Sequence, residues 1–134
     1  MGTQETKIEY IQKWFIKADN DMQSAVTLRS AALEDITTDT ICFHCQQTIE
    51  KYLKAFLIWH NVEFDKIHDL VYLQKLCSTI DIDISSVPVK ALNFFGIMVR
   101  YPDNFYIPSL DEADHAISLA KQIKVLIRSK LDSL

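Results

Sequence analysis

Glycine and proline are scarce in this chain, and where they fall restricts what it can fold into. The 134 residues hold two glycines, Gly2 and Gly96, and three prolines, Pro88, Pro102 and Pro108. From Thr3 to Val87 no residue of either type interrupts a helix. Two of the prolines crowd into one stretch, RYPDNFYIP, which runs from Arg100 to Pro108. No segment shows the strand-length alternation that a half-buried sheet requires. Two isolated glycines also exclude the Gly-rich phosphate cradles of P-loop and dinucleotide-binding folds, so any nucleotide would have to be held by side chains.

The segments between breakers read as helices. From Thr3 to about Ala32, the residues Ile11, Trp14, Phe15, Ala18, Met22, Ala25 and Leu28 follow the three/four spacing of an amphipathic helix. Asp21 falls beside that stripe, either as a solvated flank residue or as a partly buried carboxylate needing a cationic partner. A second helix, about Thr38 to His60, gathers Ile41, Cys42, Cys45, Ile49, Tyr52, Leu53 and Phe56 within a ~120° arc. Its opposite side carries His44, Gln46, Gln47, Glu50, Lys51 and Lys54 with Phe43, Leu57 and Ile58 among them. Apolar residues on a face expected to be exposed point to a partner surface.

A short third helix takes His68 or Asp69 as its cap and continues through Leu70, Leu73, Leu76 and Ile80. After the turn-rich DIDISSVP, a fourth helix is expected from about Pro88 to before Pro102, because the residue preceding a proline disfavours helical geometry. The last helix opens after Pro108 with a Ser or Asp cap and early acids, ends with basic residues, and aligns Ala113, Ala116, Ile117, Ala120, Ile123, Ile127 and Leu131. Four long helices and one short one, on short connectors, predict an all-α antiparallel up-and-down bundle forming a single domain over residues 1–134.

The formal net charge of −4 leaves no global attraction for a polyanion. No apolar run approaches the ~18 residues of a membrane span, and the N-terminus lacks a signal-peptide core, so a cytoplasmic protein is expected. Cys42, Cys45 and Cys77 should be reduced thiols, and CFHC, inside a helix and without a second cysteine pair, is not expected to hold zinc. The histidines His44, His60, His68 and His115 have no two-His helical spacing, and no cofactor is called for.

The chemistry that remains lies in the Arg100–Pro108 stretch and the mixed face of the second helix. Arg100 can satisfy the last carbonyls of the fourth helix, or its guanidinium can hold a phosphodiester. Tyr101 and Tyr106 can stack on a base or pack the loop. The candidate ligand contacts are Arg100, Tyr101, Asp103 and Tyr106 in the loop, with His44, Gln47, Lys51 and Lys54 on the helix.

In order along the chain, WFIKADNDMQSA, CFHCQQTIEKYLKAFLI, HDL, RYPD and LDEADHAISLAKQI resemble the prokaryotic HEPN family over about Trp14 to Ile127. The resemblance implies a helical bundle that commonly forms homodimers, often encoded beside a minimal nucleotidyltransferase in a toxin–antitoxin or defence-like pair. It also implies binding of nucleotide or RNA, and in some members a tyrosine near this loop that the partner nucleotidylates, for which Tyr106 is the candidate here. Active relatives resemble one another in an Arg followed, after four to six residues, by a His, paired across the dimer for metal-independent RNA cleavage. In such a pair the His moves the proton of a 2′-hydroxyl while the Arg stabilises phosphoryl charge. Arg100 matches the arginine, but Phe105, Tyr106 and Ile107 stand where the histidine belongs, and the next histidine downstream is His115. The expectation is therefore a binding module with an incomplete ribonuclease motif. The alternative is a ribonuclease that uses Arg100 with His115 or Tyr106.

Overall fold

The computed structural model describes residues 5–93, 95, 102–132 and 134; for Asn104 the backbone alone is described. Among the described residues the elements are α1 (Lys7–Arg29), α2 (Thr38–Trp59), α3 (Leu70–Ile80) and α4 (Leu110–Lys130), with short 3₁₀ turns at Leu33–Asp35, Ile82–Ser86, Val89–Leu92 and Pro102–Asn104. No strand occurs among the described residues. The fourth expected helix begins as the 3₁₀ turn Val89–Leu92, and its continuation falls on residues 94 and 96–101, outside the described residues.

Side chains fix the starts of α1, α3 and α4. The Thr6 hydroxyl accepts from the Glu9 amide at 3.1 Å to open α1, and Asp69 accepts from Val71 and Tyr72 at 3.0 and 3.2 Å to open α3. Asn93, just past a 3₁₀ turn, clamps that start by accepting from the Leu70 amide at 2.7 Å and donating to Asp69 at 3.0 Å. At α4, Ser109 and Glu112 form a reciprocal capping box that satisfies two otherwise orphaned amides. The end of α2 turns on Asn61, which takes the left-handed conformation (φ 58°). The Asn61 and Val62 amides donate back to Ile58 and Leu57 at 3.1 and 2.9 Å, closing the helix without a glycine.

The core stripes match the spacing. Ile11, Phe15, Ala18, Met22 and Ala25 of α1, the expected arc of α2, and the stripe Ala113, Ala116, Ile117, Ala120, Ile123 and Ile127 of α4, with Leu131 just past its end, are buried; Trp14 and Leu28 of the α1 stripe are partly buried. α2 is the hub: it packs against α1, α3 and α4, and its contacts with α1 and α4 are the most extensive in the bundle. This corrects the expectation of an exposed polar half. Gln46, Gln47, Glu50 and Lys54 are all buried, the first of them completely. The cause is tertiary, because the segment leading into α3 folds back over that side and brings His68 onto Glu50.

A polar seam ties α4 to the α1–α2 pair. Asp19 accepts from the Tyr52 hydroxyl, from Arg128 at 2.8 Å and from Lys124 at 3.2 Å, while the Arg128 guanidinium lies 4.2 Å over the Phe15 ring. Burial alone would raise the Asp19 carboxyl, but the Tyr52 hydroxyl and the two cations outweigh it and hold it below the usual carboxylate range.

Candidate functional site

The loop that leads into α4 is anchored at one end. Pro108 is buried, and its carbonyl accepts from the Thr38 hydroxyl at 2.6 Å, which fastens the loop to the start of α2. Before it, Phe105 (78% exposed), Tyr106 (42%) and Ile107 (56%) lie open to solvent. The Tyr106 hydroxyl donates to Glu112 at 2.5 Å, and the same carboxylate oxygen accepts from the Ser109 amide at 3.1 Å. That pairing pulls the two groups apart in acidity. The Tyr106 proton, held by Glu112, is harder to lose than usual, and Glu112 is kept below the usual range by Tyr106 and the Ser109 amide. Asp103 and His115 are exposed, the latter one turn beyond Glu112 on the same flank of α4. Arg100 and Tyr101 lie outside the described residues.

The helix-two candidates divide into two polar clusters, one largely buried and one half-buried. Glu50 accepts from Lys54 at 3.1 Å and meets His68 Nδ1 at 3.0 Å through each oxygen. Gln46 bridges Glu50 and the His68 carbonyl, both at 3.3 Å, and Gln47 donates to Gln46 at 2.6 Å. Lys54 and Gln47 are therefore committed to the interior. Asp21 is the partly buried carboxylate of the two readings, its side chain 13% exposed. It receives the Lys51 ammonium and His44 Nδ1 at 2.9 Å. His44 and Lys51 are each about a quarter exposed and are the two helix-two candidates that reach solvent.

Cys42, Cys45 and Cys77 are buried free thiols; burial pushes each up to about 12, with Glu112 and Asp39 adding to the effect on Cys42. Among the described residues no group of three or more His, Cys, Asp or Glu is placed to hold a metal ion, and no helix is long and apolar enough to cross a membrane.

Two adjoining cavities open along α1, a region not singled out from the sequence. One, of about 250 Å³, is lined by Tyr10, Lys13, Trp14, Lys17 and Lys51. The other, of about 700 Å³, shares Tyr10 and Trp14 and continues past Lys54, Phe64, Lys66 and His68. Trp14 reads as a core residue from its spacing, yet it is only partly buried. The available signal was the run Tyr10, Lys13, Trp14, Lys17 at i, i+3, i+4 and i+7, which puts two rings and two cations on one flank of the helix. A third groove, of about 800 Å³ on the outer side of α4, includes Val87, Ile117, Lys121, Val125 and Leu126. Its carboxylate, Asp114, is already held by Arg29 at 2.6 Å.

A family model described as HEPN domain matches residues 11–130. Curated proteins gave no match. Among solved structures, the chain is similar to an archaeal HEPN homologue, with a TM-score of 0.63 and 21% identity, over 90% of this chain and 96% of that one. At that identity the likeness speaks for the fold.

Proposed function

Because this chain belongs to the HEPN domain family, we propose that it is the single-domain binding component of a two-component, toxin–antitoxin or defence-like pair, and that the loop before α4 docks a nucleotidyltransferase partner. The observation that carries the reading is the exposed run of Phe105, Tyr106 and Ile107. Three successive large apolar side chains left in solvent on a loop fastened by Thr38 and Glu112 form a pre-organised contact, costing little ordering entropy on association. Of the helix-two residues considered for nucleotide or RNA, only His44 and Lys51 reach solvent, so the loop bears the weight.

The acidity of Tyr106 supports a binding role over a catalytic one. A general base at neutral pH needs a lowered pKa, whereas the Tyr106 hydroxyl is tied to Glu112 and shifted upward. The same hydroxyl, exposed and adjacent to the docking run, is the candidate acceptor for nucleotidyl transfer from the partner.

Titration calorimetry with a minimal nucleotidyltransferase encoded beside this chain tests the reading. Phe105→Ser with Ile107→Ser should weaken binding at least about tenfold, and incubation with ATP should add a nucleotidyl mass that Tyr106→Phe abolishes. Unchanged affinity of the loop variant, or the absence of such a neighbouring enzyme, overturns it.

A further inference from the structure

A capping box ordinarily closes on itself, but in α4 a phenol joins it. Glu112 Oε1 accepts both the Tyr106 hydroxyl at 2.5 Å and the Ser109 amide at 3.1 Å. In return the Glu112 amide donates to the Ser109 hydroxyl at 3.1 Å. The cap therefore holds a carboxylate in fixed contact with one tyrosine, and the same bonds keep that carboxylate ionised.

A hydroxyl bound in this way is a poor nucleophile on its own. Its proton is harder to lose than usual, so its phenolate is rarer at neutral pH than that of a free ring. Such a hydroxyl reacts when the proton leaves as the new bond forms, and a carboxylate already in hydrogen-bond contact is placed to take it. The other titratable groups at this corner are engaged or set back. Asp39 of α2 is bonded to the Thr40 amide at 2.8 Å, and the Cys42 thiol is buried and pushed up to about 12. Asp111 and His115 lie exposed on α4 to either side of Glu112.

We propose that Glu112 is the general base for group transfer to Tyr106, so that the acceptor is the Tyr106–Glu112 pair and not the ring alone. This rests on the reading of Tyr106 as the acceptor given above. In the step, a lone pair of Tyr106 Oη attacks the α-phosphorus of a nucleoside triphosphate brought by the partner. The O–P bond forms while the bond to the bridging oxygen breaks, pyrophosphate leaves, and the hydroxyl proton passes to Glu112 Oε1 and from there to water. The ring stands 42% exposed between Phe105 and Ile107, where an electrophile carried by a docked protein reaches it. A loop that docks normally but lacks the Glu112 carboxylate is then a poor substrate.

Tyr10 supplies an internal reference, since it is exposed to the same degree, 43%, and its hydroxyl has no carboxylate bond among the described residues. Diisopropyl fluorophosphate, which phosphorylates phenols with loss of fluoride, tests the pair on the purified chain without a partner, read by peptide mass spectrometry. Tyr106 should gain the adduct at least about tenfold faster than Tyr10. Its rate should change little between about pH 6 and 8, where an unassisted phenol speeds up about tenfold per pH unit. With no base acting, the firmly held proton makes Tyr106 the slower ring. Glu112→Gln keeps the cap, because glutamine serves the same position of the box, but cannot take the proton. Folded by circular dichroism, this variant should lose about tenfold or more of the Tyr106 rate and keep that of Tyr10. With the partner and ATP it should bind as the wild type does by calorimetry, yet receive the nucleotidyl group about a hundredfold more slowly. No transfer to the wild-type chain overturns the acceptor reading, while the fluorophosphate rates still decide the role of Glu112. Tyr106 no faster than Tyr10, or equally fast in Glu112→Gln, overturns the proposal.

Discussion

Replacing Glu50 by glutamine keeps the shape of the side chain and removes its charge, and the structure sets what this should cost. Glu50 is 3% exposed and Lys54 8%, and the carboxylate is the ion-pair partner of Lys54 at 3.1 Å. Without it, Lys54 keeps a charge that is buried with nothing to balance it. Breaking one side of a buried pair costs about 3–5 kcal/mol, a large share of the ~5–15 kcal/mol that holds a domain folded. At this chain length the loss corresponds to a fall in Tm of roughly 10–20 °C. Lys54→Met removes the other charge, and Glu50 then still has His68 and Gln46 as partners. The double variant should therefore recover most of the loss of Glu50→Gln, giving a coupling energy of about 2 kcal/mol or more. Urea unfolding followed by circular dichroism measures all four corners of the cycle. If Glu50→Gln costs less than about 1 kcal/mol, or if the two substitutions simply add, the pair is not the buried charge balance described here.

Thiol titration offers a second check. All three cysteines should be unreactive toward DTNB at pH 8 in the folded protein and should react together after denaturation, because burial both blocks the reagent and suppresses the thiolate. Ser109→Ala removes the hydroxyl half of the α4 capping box and should lower stability by ~1 kcal/mol in the same urea assay. Acid should destabilise through Asp19 and Asp114, whose carboxyls are held below their ordinary values, Asp114 chiefly by its bond to Arg29. Their contribution is complete above an unfolded pKa of ~3.9 and is lost as pH falls through the lower folded values. Arg128→Gln should flatten the Asp19 part of that loss below pH ~4, measured as Tm against pH.

Most of the helical frame was written in local pattern. The ends of α2 and α4, the caps Asp69 and Ser109, and the buried stripe of each long helix follow from spacing and end chemistry, which act within a few residues. The surroundings of α2 were not written there. Gln47, Glu50 and Lys54 look like a solvent face because each is polar, and only the return of the chain near His68 makes them interior. The clue was Leu57 and Ile58 among them, apolar residues that are buried or half-buried against the core and so mark a second packed side. Asp21 was ambiguous for the same reason: its burial depends on His44 and Lys51, more than twenty residues away. At α1, Trp14 satisfied the core spacing so well that its shared wall with Tyr10 and the lysines was hidden behind it.

The enclosure of α2 also has an evolutionary side. A change on this helix is felt by three neighbouring helices at once, so its composition is held by the whole molecule. The outer flank of α1 and the loop before α4 answer to few internal contacts, and substitutions there leave the frame standing. Sequence change is therefore easier to absorb at the rim than at the hub.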